Sequence, residues 1–151
     1  MTGGELALRL IGGFRSLIDD LHAELARLGH PEVRPVHGFA LQAIGPQGTS
    51  ASELAGRLGV SKQAAGKTVD ALVSLDYAAR EPDPADARRK AVVPTARGRE
   101  VLRLSAEILE RLRAQRAERV GDPTMREFEK ALRLLTAETA APLDTAGWLD
   151  T

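Results

Sequence analysis

Residues 50–100 contain the pattern that most narrowly limits the fold of this chain. Ser50 and Glu53 have the spacing of a capping box, in which each side chain accepts a hydrogen bond from the other residue's backbone N–H. Gly59 can supply the left-handed turn that ends this first helix, and Ser61 is suited to cap a second helix directly after it. The pattern therefore predicts two helices joined by a tight turn.

Two short apolar segments follow the second helix, at residues 77–81 and 90–93. The loop between them contains Pro82 and Pro84, where the missing backbone N–H groups cost no hydrogen bond between strands. Apolar runs separated by turn residues are typical of a β-hairpin. We therefore expect a hairpin after the second helix, with three adjacent cations at its tip: Arg88, Arg89 and Lys90.

Apolar residues recur along both helices at the spacing of one helical face, which is the face that packs on a core. The residues expected to be buried are Leu54, Ala55 and Leu58 in the first helix, Val60 in the turn, and Ala65, Val69, Leu72 and Val73 in the second helix. Asp76 ends the second helix where a glycine is usual, and aspartate tolerates the left-handed conformation better than most residues.

Longer amphipathic segments flank this unit on both sides. Residues 5–28 have the pattern of one long helix, and a short helix is expected between Pro35 and Gly45. Thr95 is placed to cap a third long helix, and a last helix follows the break at residues 121–123. The expected fold class is mainly α with a small β-hairpin wing: a winged helix-turn-helix domain plus a helical dimerisation region.

The composition of the 151 residues favours an aliphatic core, because 43% of the residues are apolar and only 3% are aromatic. Cysteine is absent, which excludes disulfides, cysteine-based zinc sites and thiol switches. No segment approaches the roughly 20 apolar residues that a membrane span needs. We therefore expect a soluble, cytoplasmic protein that needs no cofactor.

The net charge is zero, but the charge is unevenly distributed along the chain. Residues 49–99 carry nine basic and six acidic residues, and the segments on either side have a small acidic excess. Phosphate contacts are made by whichever face meets the DNA, so a local basic excess matters more than the total. The helix-turn-helix segment is therefore the part of the chain suited to bind a polyanion.

The second helix of such a pair turns its outer face to base edges in the major groove. The outward positions, counted from the glycine turn, are Ser61, Lys62, Gln63, Gly66, Lys67 and Asp70. Gln63 can bond an adenine edge through two hydrogen bonds, and Lys62 and Lys67 can reach phosphate or guanine. Gly66 weakens a helix by about 1 kcal/mol relative to alanine. Close approach of the backbone to DNA and neutral drift both explain it.

The cations at the hairpin tip are suited to a narrow, strongly negative minor groove. We expect Asp86 to pair with a neighbouring arginine and to stabilise the wing rather than to contact DNA. A charge run by itself is usually a solvated loop. The assignment of Arg88, Arg89 and Lys90 to DNA therefore depends on their position directly after a helix-turn-helix.

The chain resembles the MarR family of bacterial transcription regulators from about Leu6 to Leu135. The resemblance is strongest in Ser52-Glu-Leu-Ala-Gly-Arg-Leu-Gly-Val-Ser61, in Asp83-Pro-Ala-Asp-Ala-Arg-Arg89 and in Thr95-Ala-Arg-Gly-Arg-Glu100. Asp86 and Arg88 match the Asp-x-Arg of the family's wing, which is its most specific mark. The departures from the family pattern, which affect base preference more than the fold, are Ala65, Gly66, Asp76 and Pro94.

The resemblance implies a homodimer that binds a pseudo-palindromic operator in double-stranded DNA, usually as a repressor released by a small ligand. It implies a ligand pocket where the N-terminal helices meet the DNA-binding domain, with an aromatic or phenolic effector. The residues expected near this pocket are Phe14, Ile18, His37 and Phe39. Ordinary core packing is the simpler alternative for each of the four.

A homodimer is also expected from the residues themselves. The apolar stripes of the flanking helices, Leu10 to Leu28, Val101 to Leu112 and Met125 to Leu135, exceed what a small DNA-binding core can cover. A two-fold partner is the commonest way to bury such surface. We expect an N-terminal dimerisation helix at 1–32, a winged helix-turn-helix domain at 33–99, C-terminal dimerisation helices at 100–139 and a flexible tail at 140–151.

Three other functions compete with DNA binding. An enzyme would need a histidine or the Asp19-Asp20 pair in catalysis, but no nucleophile elbow, phosphate-binding glycine loop or His-Glu-x-x-His pattern occurs. A metal sensor would need His22, His30 and His37 to converge with carboxylates. A winged-helix protein-interaction module would need no cations on its wing, and the absence of a steep salt dependence on a duplex would separate it from a DNA reader.

Overall fold

The computed structural model describes residues 1–137, which form six α-helices and three short strands. Their order is α1 (Gly3–Arg27), α2 (Pro35–Ile44), β1 (Thr49–Ser50), α3 (Ala51–Leu58), α4 (Lys62–Ser74), β2 (Ala78–Pro82), β3 (Lys90–Pro94), α5 (Ala96–Val120) and α6 (Asp122–Thr136). The tail predicted at 140–151 lies outside the described residues, as do the last two residues of the predicted C-terminal helices. The mainly α fold class with a β-hairpin wing is confirmed.

The caps predicted at Ser50 and Ser61 and the turn predicted at Gly59 are present. The Ser50 hydroxyl accepts a hydrogen bond from Glu53 N (3.2 Å), and the Glu53 carboxylate accepts one from Ser50 N (3.4 Å). Gly59 ends α3 in the left-handed conformation, with φ 63° and ψ 32°. Ser61 then caps α4 by accepting from Ala64 N (3.1 Å). These local bonds fix the angle at which α4 leaves α3.

The sheet has three antiparallel strands in the order β1–β3–β2. In the hairpin, Ala78 pairs with Pro94 at one end and Pro82 pairs with Lys90 at the other. The first hairpin strand thus starts one residue later than predicted, and Pro82 ends the strand instead of lying in the loop. An exposed strand end tolerates proline because no further hydrogen bond between strands is lost there. β1 was not predicted, because two residues show no periodicity.

One aliphatic core joins α2, α3, α4, the sheet and the first turns of α5, and the second half of α1 packs along α5. Val73 and Val60 were expected in this core, but they are 36% and 44% exposed. The buried stripe of α4 is narrow, formed by Ala65, Val69 and Leu72. Val73 follows Leu72 by one residue and is therefore turned about 100° away from that stripe.

Two helical segments keep apolar side chains exposed. The first half of α1 buries no residue, and Leu8 and Ile11 there are 71% and 53% exposed. The amphipathic helix α6 also has no buried residue, and Phe128, Leu134 and Leu135 are exposed on it. Within the described residues, no helix combines the length and the hydropathy that a membrane span requires.

Candidate nucleic-acid interface

Helix α4 presents the predicted reading face to solvent. Its buried stripe holds one side of the helix on the core, so the opposite side is exposed. The residues of the proposed reading face that are exposed are Ser61, Lys62, Gln63, Lys67 and Asp70, and Gly66 is half-buried. A Cβ atom added at Gly66 would meet no other atom within 4 Å. Packing within the described chain therefore does not explain the glycine.

The wing between β2 and β3 is shaped by two aspartates. Asp83 Oδ1 accepts a hydrogen bond from Ala85 N (2.9 Å), and Asp86 Oδ1 accepts one from Arg88 N (3.0 Å). Backbone bonds close the loop, from Asp83 N to Arg89 O and from Arg89 N to Asp86 O, each at 2.9 Å. Both carboxylates thus act on the loop's own backbone, as aspartates do in turns. The loop is built so that its cations project outward.

The three cations at the wing tip differ in their partners. Arg89 Nε lies 3.8 Å from the second carboxylate oxygen of Asp86, Oδ2, which makes a long, exposed ion pair. The side chains of Arg88 and Lys90 are exposed and have no ion pair with any residue in the range 1–137. Arg88 and Lys90 therefore have their whole charge available for a polyanion.

An ion pair that the sequence pattern does not reveal links α4 to the wing. Arg80 of β2 donates from Nη2 to Asp70 Oδ1 at 2.5 Å. Asp70 lies on the solvent face of α4 and was predicted to point outward, but no pattern in the sequence pairs it with a residue on the next element. The ion pair between Asp70 and Arg80 therefore connects the reading helix α4 to β2, the strand that leads into the wing.

A buried polar network, also not predicted, lies beneath the winged domain. Tyr77 is fully buried; its hydroxyl lies 3.1 Å from His30 Nδ1 and accepts a hydrogen bond from Arg97 Nη2 at 3.1 Å. His30 is also buried, and its Nε2 lies 3.4 Å from a carboxylate oxygen of Glu100. Burial raises the pKa of the Tyr77 phenol, and the Arg97 charge works against that rise. The network joins the end of α1, the end of α4 and the start of α5.

Two of the four predicted pocket residues line one cavity, and a third packs on one of them. A cavity of about 20 Å³ between α1 and α2 is lined by Ile18 and Phe39, with Ser105 of α5 among its other neighbours. Phe14 does not line this cavity but stacks on Phe39, with ring centroids 6.2 Å apart. A volume of this size holds about one water molecule.

His37 lies outside the cavity lining and has a structural contact. It is buried in α2, and its Nδ1 accepts a hydrogen bond from Arg34 N at 3.2 Å. Burial lowers the pKa of His37, and the charge of Arg34 lowers it further, against an opposing hydrogen bond with the Glu32 backbone. His37 therefore caps the start of α2 in its neutral form.

His22, which was not predicted as a pocket residue, has the unusual environment in this region. Its Nδ1–H donates to Ile18 O at 2.8 Å. Its Nε2 atom is buried without a hydrogen-bond partner, and the His22 side chain lines the cavity. Within residues 1–137, no three His, Asp or Glu side chains are grouped so as to hold a metal ion.

Comparisons with known proteins agree with this geometry. Residues 33–89, from the loop before α2 to the wing, match the model of the MarR family. The transcriptional regulator Tm0710 from Thermotoga maritima is 26% identical, covers 88% of this chain and 93% of its own, and superposes with a TM-score of 0.62. No curated protein matches the chain in sequence.

Two further solved structures share the fold over nearly their full lengths. FabT from Streptococcus pneumoniae, solved in complex with DNA, has a TM-score of 0.77 at 15% identity, covering 90% of this chain and 96% of its own. The MarR family protein Rv2887 from Mycobacterium tuberculosis was solved with p-aminosalicylic acid. It has a TM-score of 0.62 at 24% identity, and the match covers 89% of this chain and 98% of Rv2887. This chain is thus similar to the MarR family over residues 33–89, and its winged-helix architecture is shared with transcription regulators of known structure.

Proposed function

We propose that this chain is a sequence-specific regulator that inserts α4 into the major groove of DNA while its wing grips the adjacent minor groove. The observation that carries the proposal is the set of exposed cations without an acidic partner in residues 1–137: Lys62, Lys67, Arg88 and Lys90. Cations already held by carboxylates would contribute less to phosphate binding. Two relatives of the same fold, FabT and a mutant of MepR from S. aureus, were solved with DNA or an oligodeoxyribonucleotide.

Gln63 is the residue we propose as the main base reader. It is exposed in the first turn of α4, and its amide can make two hydrogen bonds to an adenine edge. Selection of bound duplexes from a random pool should yield a two-fold symmetric site with adenine at one position of each half. Gln63→Ala should relax the preference at that position by about 1–3 kcal/mol. An unchanged base preference would show that Gln63 does not recognise that base.

The salt dependence of binding tests whether DNA is the partner at all. A reader that contacts several phosphates should lose affinity steeply between about 50 and 200 mM salt, because bound counterions are released on binding. The full chain is titrated onto a labelled duplex at several salt concentrations. A winged helix that binds protein instead would show weak binding and little slope.

The proposed regulator acts as a homodimer. The first half of α1 and the apolar side of α6 are left uncovered by a single chain, and both lie outside the winged domain. Exposed leucine, isoleucine and phenylalanine side chains in continuous patches mark interaction surfaces. A two-fold partner that covers them would place two α4 helices on successive turns of the major groove, about 34–36 Å apart. This spacing predicts a pseudo-palindromic operator.

Light scattering during gel filtration tests the dimer. The wild-type mass should be twice the 16.2 kDa of one chain. Leu134→Glu together with Leu135→Glu should yield a monomer, since both side chains are more than 70% exposed in the single chain and would be buried in the dimer. Arg126→Glu, on the polar side of α6, is the control and should remain dimeric. A monomeric wild type would overturn the dimer proposal.

We assign repression with release by a small aromatic ligand as the regulatory outcome. The cavity between α1 and α2 has an apolar lining and one unsatisfied polar atom, His22 Nε2. Its 20 Å³ is too small for an aromatic ring, so binding requires α1 to move relative to α2. Because α1 also carries a proposed dimer surface, such a movement would change the distance between the two reading helices.

The ligand that we propose as a probe is p-aminosalicylic acid, which is bound in the structure of Rv2887. Adding it to the full chain should raise the melting temperature and weaken binding to the selected operator. Ile18→Trp should fill the cavity and abolish both effects, and Ala23→Trp, at an exposed site in the second half of the same helix, should keep them. Equal effects in both variants would mean that the ligand acts elsewhere.

A further inference from the structure

The reading face of α4 carries an acidic residue that DNA recognition does not explain. Gln63, Lys67 and Asp70 are separated by four and three residues, a spacing that places all three on one side of a helix. The Asp70 side chain is 69% exposed. A carboxylate on a surface that meets phosphates repels them, so this position opposes the basic residues around it.

The contact between Asp70 and Arg80 also has little structural value. The side chains of Arg80 and Asp70 are 36% and 69% exposed, so solvent screens the ion pair. Exposed pairs of this kind contribute little to the free energy of unfolding. The core stripe of α4 and the hydrogen bonds between β2 and β3 hold these elements in place independently of the pair. Stability alone therefore does not account for it.

The same contact does decide what Arg80 can bind. A guanidinium group binds a carboxylate or a phosphate through the same set of N–H donors. Arg80 lies on β2, between α4 and the wing, the two elements proposed to straddle the DNA backbone. While Nη2 donates to Asp70 Oδ1, the carboxylate offsets the charge of Arg80 and engages one of its donors. Lys67, three residues from Asp70, forms no ion pair with it in the described structure.

We propose that Asp70 limits the affinity of this protein for DNA of any sequence by withholding Arg80 from the phosphates. The inference rests on the proposed DNA-binding function. Non-specific affinity comes almost wholly from phosphate contacts, and each contact adds to the salt dependence. A regulator must find its site among a large excess of other sequences, so a lower non-specific affinity favours operator occupancy.

The test uses the full chain and a duplex of arbitrary sequence, titrated at several salt concentrations. Asp70→Asn removes the carboxylate and keeps the size of the side chain. It should raise the affinity several-fold at low salt and steepen the slope of log K against log salt by about 0.9, the value for one more phosphate contact. Arg80→Gln in the wild-type background should leave the slope unchanged, because Arg80 contacts no phosphate there. Combining it with Asp70→Asn should return the slope to the wild-type value.

Asp76→Asn is the matched control, because it removes the same charge from the same domain. Asp76 follows α4, has φ 61° and pairs with no cation in residues 1–137, so the variant releases no arginine. It should leave the slope unchanged, and thermal melting checks that all variants fold. A wild type that binds no duplex at low salt overturns the proposed function, and this inference with it. A wild type that binds, with an Asp70→Asn variant of equal or lower affinity and slope, overturns this inference alone.

Discussion

Gly98, in the first turn of α5, lies directly against the backbone carbonyl of Tyr77, the residue that joins α4 to β2. A Cβ atom at position 98 would overlap Tyr77 O and lie 3.3 Å from a methyl group of Leu41. The same carbonyl accepts a hydrogen bond from Thr95 N at 3.1 Å. The carbonyl of Tyr77, just after the reading helix, therefore contacts the start of the long helix α5 at both Thr95 and Gly98.

Gly98→Ala should destabilise the fold. Alanine usually stabilises a helix by about 1 kcal/mol relative to glycine, but the overlap with Tyr77 O forces a backbone shift, and overpacking costs about 1–3 kcal/mol. We expect a lower midpoint of urea unfolding with an unchanged m-value. Gly56→Ala in α3 is the control, because a Cβ there meets nothing within 4 Å, and it should be neutral or stabilising. Equal midpoints for the two variants would contradict this packing.

The free energy of unfolding should depend on His37 below neutral pH. Burial lowers the pKa of His37 in the folded chain, whereas the unfolded chain has the ordinary value of about 6.5. Between these two values the unfolded state binds more protons, so stability falls as the pH drops below about 6.5 and is fully present above it. His37→Asn keeps an acceptor for Arg34 N and should flatten that part of the profile. Urea unfolding at a series of pH values measures it, and an unchanged profile would exclude His37 as the source.

Arg88→Ala should weaken binding to operator and non-operator DNA alike. Its guanidinium has no ion-pair partner within the described residues and lies on the wing proposed to enter the minor groove, where the potential is most negative. The salt slope should fall by about 0.9. Arg89→Ala should change the slope less, because Asp86 lies 3.8 Å from the Arg89 side chain. Fluorescence anisotropy on both duplexes measures this, and a native slope for Arg88→Ala would remove Arg88 from the interface.

Gly66→Ala distinguishes the two explanations of the glycine in α4. The position has open space around it in the protein, so alanine should stabilise the chain by up to about 1 kcal/mol. If the helix backbone approaches DNA closely at this point, the added methyl group should reduce operator affinity despite the greater stability. Comparison of melting temperature and operator affinity decides it. Native affinity would leave neutral drift as the explanation.

Much of the winged domain could be predicted because its signals are local. The capping box of Ser50 and Glu53, the left-handed turn at Gly59 and the cap at Ser61 each involve residues no more than four apart. Asp76 was expected in a left-handed conformation, and its φ of 61° confirms this. Interactions of this range depend on residue type and spacing, so they can be read before any tertiary contact is known.

Contacts between residues far apart in the sequence could be identified only from the folded structure. Asp70 and Arg80 lie ten residues apart on different elements, and His30 and Tyr77 lie 47 apart. Each of these residues has an ordinary sequence context, and the pairing follows from how α1, α4 and β2 are placed by the core. Gly98 likewise shows no turn signal, and only the approach of Tyr77 explains the absence of a side chain there.

The order and type of the elements were thus set by short-range chemistry: caps, turn residues and the spacing of apolar side chains. Only the packing of the helices and strands against one another decided which residues pair with Asp70, Tyr77 and His30. The same packing decided that Val60 and Val73 are exposed. The physical reason is that burial and long-range ion pairing depend on which surfaces meet. Many packings can satisfy the same amphipathic pattern, and the whole set of helices and strands selects one of them.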